Sequence, residues 1–99
     1  MPYSICAEIE FDPAKNAANI QKHGIDLAFA VDVLADPFVV SIVDARRNYG
    51  ETRWISLGEV LGRVYVVIHT RRKHVSRIIS VRKANDRETS AYRAAVHKD

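Results

Sequence analysis

The second half of the sequence constrains the fold most, because its apolar residues run in short strand-like stretches separated by turns. After Pro37 the helical spacing of apolar residues is replaced by alternation or by continuous apolar runs. The connecting segments contain "RRNYGE", "GEVLG" and "RRKH", and connections this short imply antiparallel neighbours. The sequence therefore predicts four strands, at residues 38–43, 53–57, 61–70 and 75–83.

The first half predicts one strand and two helices. "SICAEIEF" (residues 4–11) alternates Ile5, Ala7, Ile9 and Phe11 with polar residues and Cys6, as a half-exposed strand does. Asp12 and Pro13 predict a helix start, and "KHGI" predicts its end at Gly24. Asp26 predicts the cap of a second helix that ends at "ADP" and buries Leu27, Ala30, Val31 and Leu34.

A last helix is predicted from Asn85, where Glu88 completes a capping box and Ala91, Tyr92 and Ala95 form the buried stripe. The order is β-α-α-β-β-β-β-α, and the class is α+β, with an antiparallel sheet packed with helices. We expect residues 1–99 to form a single domain, in which the first strand pairs with a later one.

Composition and charge bound the function. The single Cys6 excludes an internal disulfide framework and a thiolate metal cluster, and with no signal peptide or membrane span in the sequence we expect a cytoplasmic protein. Residues 1–45 carry two Lys/Arg and seven acidic residues, whereas residues 46–99 carry thirteen and five. This basic half is typical of a protein with a polyanionic partner, although acidic and basic halves that pair across the fold would give the same count.

Two arginines flank an apolar run in "RIISVRKANDRE" (residues 77–88). Side chains alternate along a strand, so Arg77 and Arg82 point to opposite faces unless strand twist, a bulge or the strand end brings them together. Each has a structural alternative. Arg77 can lay its stem over the core at an edge, and Arg82 can pair with Glu88.

The chain resembles the BrnT-type toxins over nearly its whole length and in order. The motifs are "F-D-P-x-K-x-x-x-N-x-x-K-H-G-I" (11–25), "A-D-P" (35–37), "G-E-x-R" (50–53), "V-x-x-H-T-x-R" (66–72) and "R-I-I-S-x-R-K-A-x-x-x-E-x-x-x-Y" (77–92). Phe11 stands where that family commonly has tryptophan. The resemblance implies a RelE-like ribonuclease fold, RNA cleavage that stops translation, and neutralisation by a BrnA-type antitoxin whose ribbon-helix-helix domain binds operator DNA.

The residues themselves favour metal-independent chemistry. His23, His69, His74 and His97 lie on separate predicted elements, without metal-ligand spacing, and we expect no cofactor. RNA can be cleaved when its own 2′-OH attacks the neighbouring phosphate, which requires proton transfer and cations beside the developing charge. Arginine binds phosphate through a planar fork, so Arg53, Arg77 and Arg82 are the candidate catalytic cations, with His23 as a candidate for proton transfer.

The resemblance also directs attention to candidate RNA-binding residues, each with a structural alternative: Lys22, Glu51, His69, Arg72 and Tyr92. His23 and Lys22 can simply complement a helix C-terminus, and Glu51 can pair with an arginine. Tyr92 is by default a core residue, and Trp54 a sheet-face residue or a platform for a base. Two other functions stay open: a non-catalytic RNA- or ribosome-binding module, and a corepressor that acts only through its antitoxin.

Overall fold

A five-stranded sheet with helices on both faces forms the molecule. The computed structural model describes residues 8–46 and 48–96. The strands are β1 (Glu8–Glu10), β2 (Val40–Val43), β3 (Trp54–Val60), β4 (Arg63–Arg72) and β5 (Val75–Lys83), in the spatial order β1-β5-β4-β3-β2. The helices are α1 (Pro13–His23), α2 (Ala30–Leu34), which follows a 3₁₀ turn at Leu27–Phe29, and α3 (Asp86–Val96).

The sheet is mixed, which corrects the expectation of an antiparallel one. β2, β3, β4 and β5 pair antiparallel in succession, but β1 pairs parallel with β5, and Glu10 lies opposite Arg77. Parallel strands need a long connection, and residues 11–74 provide it between β1 and β5. The expected pairing of the first strand with a later one is confirmed for residues 8–10, whereas Cys6 and the rest of residues 4–7 lie outside the described residues.

The predicted caps are confirmed. The Asp12 carboxylate accepts from Ala14 N at 2.8 Å, and Gly24 ends α1 with a left-handed φ of 72°. Asp26 accepts from Ala28 N at 2.8 Å. Asn85 and Glu88 exchange side-chain-to-backbone hydrogen bonds of 2.8 and 2.9 Å, so the predicted capping box begins α3.

Two predicted helical stripes are partly wrong. Leu27, Ala30 and Val33 are fully buried, while Val31 is exposed, because the 3₁₀ turn has three residues per turn and shifts the buried face. On α3, Tyr92 is buried but Ala91 and Ala95 are exposed, because a single row of α3 contacts the sheet.

Two apolar clusters lie on opposite faces of the sheet. On the first face, α2 packs on Val67, Ile78 and Val81. On the second face, Tyr92 of α3 packs on Leu57 and Val66. In the described part of the chain, no helix has the length and apolar character needed to cross a membrane.

A β-bulge in β5 resolves the problem of the two arginines. Ile68 pairs with Ser80 and His69 pairs with Ile78, so Ile79 has no opposite residue. The extra residue reverses the alternation, and Arg77 and Arg82 both belong to the second face although they are five positions apart. A bulge was one of the three arrangements that the sequence left open.

Helix α1 covers the open edge of β5 beyond β1. The buried amide of Asn19 accepts from Val81 N at 3.2 Å and donates to Val81 O and Ile25 O, each at 2.9 Å. Among residues 8–46 and 48–96 no strand pairs with this edge of β5 at Val81, so Asn19 takes the place of a strand partner there and holds α1 beside the second face.

Candidate functional site

A basic cleft of about 400 Å³ lies between α1 and the second face of the sheet. Its volume falls within the range of about 300–1,000 Å³ typical of ligand sites. The lining includes four Lys/Arg residues, one histidine and no carboxylate: Lys15, Ala18, Asn19, Lys22, His23, Arg46, Ile68, Ile79, Ser80 and Arg82. An anion is the ligand that such a lining attracts.

Helix α1 supplies one wall through its helical period. Lys15, Ala18, Asn19 and Lys22 recur at spacings of three and four residues, so they share one side of the helix. Lys22 and His23 occupy the last turn. The predicted residues Lys22 and His23 are thus in the cleft.

The imidazole of His23 favours its neutral form. Desolvation lowers the pKa of His23 below its usual value, and the charges of Lys22 and Arg82 lower it further. The helix C-terminus would favour the charged form, but the nearby cations and desolvation outweigh it. A neutral imidazole beside cations is able to accept a proton at neutral pH.

Arg82 is held by Glu88 at the floor of the cleft. Its Nη1 and Nη2 donate to the two Glu88 carboxylate oxygens at 2.8 and 2.7 Å, and Nη1 also contacts Lys83 O at 3.3 Å. Glu88 raises the pKa of Arg82, and Arg82 lowers the pKa of Glu88. Among contacts within the described residues, Nε–H and one N–H of Nη2 stay free, and these two donors form the side fork of a guanidinium.

Arg46 was not predicted, and it reaches the cleft from the β2–β3 loop. The buried Asp44 carboxylate accepts from Arg46 Nε at 2.8 Å and from Nη2 at 2.7 Å. Asp44 also accepts from Tyr49 Oη at 3.1 Å, and these donors hold the pKa of Asp44 well below its usual range. "DAR" forms no recognisable motif, so the sequence carried no signal for this arginine.

Arg53 and Arg77 lie outside the cleft lining. The Arg53 guanidinium carbon lies 4.0 Å from the centre of the Tyr49 ring, and its buried Nε has no hydrogen-bond partner among the described residues. Arg77 Nη1 donates to Glu10 Oε2 at 2.9 Å, and both side chains are partly exposed. Arg77 shares the second face with Arg82 but pairs with β1.

His69 lies on the first face of the sheet, away from the cleft. It is buried, and its Nε2 is 2.8 Å from Ser56 Oγ, which is 2.7 Å from Ser41 Oγ. Burial lowers the pKa of His69 to about 4, so the ring is neutral. Trp54, its neighbour across the β3–β4 pair, lines the same small cavity.

Tyr92, Glu51 and Arg72 are also outside the cleft. Tyr92 is 2% exposed and donates to the Asp36 carboxylate, and burial raises the pKa of Tyr92 to about 12. Glu51 lies 3.7 Å from Arg72 in an exposed ion pair, which matches the structural alternative for Glu51. Across residues 8–46 and 48–96, no group of three or more His, Cys, Asp or Glu residues is arranged to hold a metal ion.

Comparison with known proteins identifies the family. A family model described as "Ribonuclease toxin, BrnT, of type II toxin-antitoxin system" matches residues 11–88. This range contains the whole cleft and every specified residue of the five motifs except Tyr92. A search of curated proteins found no match. The chain belongs to the BrnT family of ribonuclease toxins of type II toxin–antitoxin systems.

Proposed function

We propose that the cleft between α1 and the second face binds RNA and cleaves it without a metal ion. The attacking group is the ribose 2′-OH, and cleavage of RNA in the cytoplasm stops translation. The observation that carries this proposal is the neutral His23 beside the free fork of Arg82, in a cleft lined by four cations. Neither a proton acceptor alone nor a cation cluster alone would favour catalysis over binding.

In the proposed reaction, His23 takes the proton from the 2′-OH. The 2′ oxygen forms a bond to phosphorus while the bond to the 5′ oxygen breaks, and the imidazolium returns the proton to that leaving oxygen. The products are a 2′,3′-cyclic phosphate and a 5′-OH. The pKa of His23 lies below the usual value for histidine, so its neutral form is available to accept this proton.

Arg82 stabilises the negative charge that develops on the phosphoryl oxygens. Glu88 fixes the guanidinium plane in advance, so little rearrangement is needed when the charge forms. Arg46, fixed by Asp44, is a second phosphate-binding arginine, while Lys15 and Lys22 attract the backbone.

The remaining candidate residues bind flanking phosphates or support the fold. Arg53, Arg72 and Arg77 extend the positive second face for flanking phosphates. His69 and Tyr92 support the sheet and α3. The mixed sheet flanked by helices is in keeping with a RelE-like fold, and we assign the chain to that fold as part of the proposal.

Purified protein and RNA in EDTA test the chemistry. We expect cleavage products with 2′,3′-cyclic phosphate or 3′-phosphate ends. Loss of all activity on chelation, restored by a divalent ion, would refute metal independence. Binding without cleavage under every condition would leave the RNA-binding module as the correct alternative.

We also propose that the partner is a BrnA-type antitoxin whose ribbon-helix-helix domain binds operator DNA, so that the toxin reaches DNA only through it. An acidic segment of that partner would cover the basic cleft. We expect expression of this chain alone to arrest growth, and co-expression of the neighbouring small open reading frame to relieve the arrest. Harmless expression together with no binding to that neighbour's product would reject the toxin assignment and its corepressor variant.

A further inference from the structure

A second cavity, of about 380 Å³, lies on the other side of the α1 C-terminus. Its lining is more apolar than that of the cleft, and it consists of Gly24, Ile25, Asp26, Phe29, Tyr65 and Lys83. Phe29 and Tyr65 meet edge to face, with ring centres 4.8 Å apart. This second cavity combines aromatic side chains with one carboxylate and one ammonium group.

The second cavity adjoins the cleft through residues that are consecutive in the chain. Lys22 and His23 line the cleft, and Gly24, Ile25 and Asp26 line the second cavity. On β5, Arg82 lines the cleft, and Lys83, which points to the opposite face, lines the second cavity. The cleft and the second cavity therefore adjoin the same helix end and the same strand.

We propose that the second cavity binds a nucleobase next to the phosphate held in the cleft, and that Asp26 selects bases that carry an amino group. This inference rests on the proposed function. Aromatic rings are the usual platform for unpaired RNA bases, and Lys83 suits the adjoining phosphate. The negative Asp26 carboxylate repels a phosphate or an acidic peptide but not a nucleobase. A base is therefore the ligand that this cavity favours among the three.

The carboxylate of Asp26 has an unused oxygen. Oδ1 accepts from Ala28 N at 2.8 Å as a helix cap, and Oδ2 has no hydrogen-bond partner in the described part of the chain. An ionised carboxylate only accepts hydrogen bonds, so it favours the amino groups of adenine, cytosine and guanine. Uracil instead presents two carbonyl oxygens around one N–H, and these oxygens repel the carboxylate.

Amide NMR with non-cleavable RNA tests this proposal. The probes are 2′-O-methyl dinucleotides in which one base is uracil and the other is varied on either side of the phosphate. We expect shifts at the amides of Gly24, Asp26 and Lys83 and binding about tenfold weaker for the all-uracil probe, the effect of one charge-assisted hydrogen bond. Asp26→Asn keeps the cap and should remove this preference, whereas Asp12→Asn, the matched cap of α1, should retain it.

The same spectra separate this proposal from the proposed function. Shifts at Ser80 and Arg82 without shifts at Gly24, Asp26 and Lys83 would overturn the base pocket and leave the cleft intact. Shifts at Gly24, Asp26 and Lys83 without shifts at Ser80 and Arg82 would overturn the phosphate site in the cleft, and with it the placement of the base next to that phosphate. Equal affinity for all probes in the wild type, or a response of the second cavity to the antitoxin but not to RNA, would also overturn the proposal.

Discussion

At the residue scale, His23 is the group whose protonation the proposed reaction uses. Desolvation, Lys22 and Arg82 lower its pKa, so the neutral form persists to more acidic pH than in a free histidine. We predict that kcat/KM for RNA cleavage is level above neutral pH and falls once the pH drops below the pKa of His23.

The variant His23→Gln should lose about 100-fold or more in kcat/KM, and it should lose this acid limb. His74→Gln, at the exposed tip of the β4–β5 hairpin, is the matched control and should keep the wild-type kcat/KM and its fall at acidic pH. The pH profiles of the three proteins check the prediction. An unchanged acid limb in His23→Gln would contradict the role of His23.

His69 makes a prediction about stability rather than catalysis. Its pKa is about 4 in the folded protein and about 6.5 in an unfolded chain, so the unfolded chain binds the proton first. The free energy of unfolding contributed by neutral His69 is therefore complete above pH 6.5 and is lost as pH falls toward 4, by roughly 3 kcal/mol. Urea unfolding of wild type and His69→Gln across this range should show that the variant lacks this loss; parallel pH curves would contradict it.

Residue types and spacings predicted the local contacts well. Asp12, Asp26 and the Asn85–Glu88 pair cap helices as their sequence positions indicated, because a cap depends on residues two or three positions away. The Arg82–Glu88 pair was one of the open alternatives for the same reason. The Asp44–Arg46 contact is equally local, but it follows no recurrent motif.

At the element scale, Asn19 joins α1 to the edge of β5. Asn19→Ala leaves Val81 N and O without their partner in a buried place, and we predict a loss of about 2–4 kcal/mol in the free energy of unfolding. Gln21→Ala, at an exposed position of the same helix, should change stability by less than about 0.5 kcal/mol. Urea unfolding measures both, and equal stabilities would show that Asn19 does not hold α1.

The helices and strands could be predicted where the spacing of apolar residues within one segment defines them. The strand at Val75–Lys83 has the predicted bounds, and the class is α+β as expected. The parallel pairing of β1 with β5 depends on a contact between distant segments, and the bulge at Ile79 depends on the register between β4 and β5; no local period encodes either. The phase of α2 was wrong because apolar spacing does not distinguish a 3₁₀ start from an α-helix.

At the scale of the whole molecule, α1, the β2–β3 loop and β5 converge and bring their positive side chains together in one cleft. The sequence indicated Lys22, His23 and Arg82, but only the fold brings Lys15 and Arg46 beside them. The same fold separates His69 from the cleft, since strand alternation places it on the first face. It also separates Tyr92, which is buried beneath α3 against Leu57 and Val66. Because the cleft residues come from distant segments, no local sequence pattern predicts that they lie together.

RNA binding should depend on salt through these cations. With single-stranded RNA, each neutralised phosphate contributes about −0.7 to the slope of log K against log salt concentration. Arg46→Ala should therefore reduce the slope by about 0.7, whereas Arg63→Ala, an exposed arginine outside the cleft lining, should leave it unchanged. Titrations at several salt concentrations check this, and equal slopes for all three proteins would place RNA elsewhere.

In the proposed reaction, Arg82 is the group that stabilises the transition state. Arg82→Lys keeps the charge but loses the fork, and Arg93→Lys is a matched control, since Arg93 forms an ion pair of similar exposure with Glu59 outside the cleft. The deciding measurement is RNA cleavage in EDTA by both variants, with the melting curve of each sample. We expect two folded proteins, of which Arg93→Lys cleaves at the wild-type rate and Arg82→Lys is at least about 100-fold slower. Cleavage at the wild-type rate by folded Arg82→Lys would contradict the role proposed for Arg82.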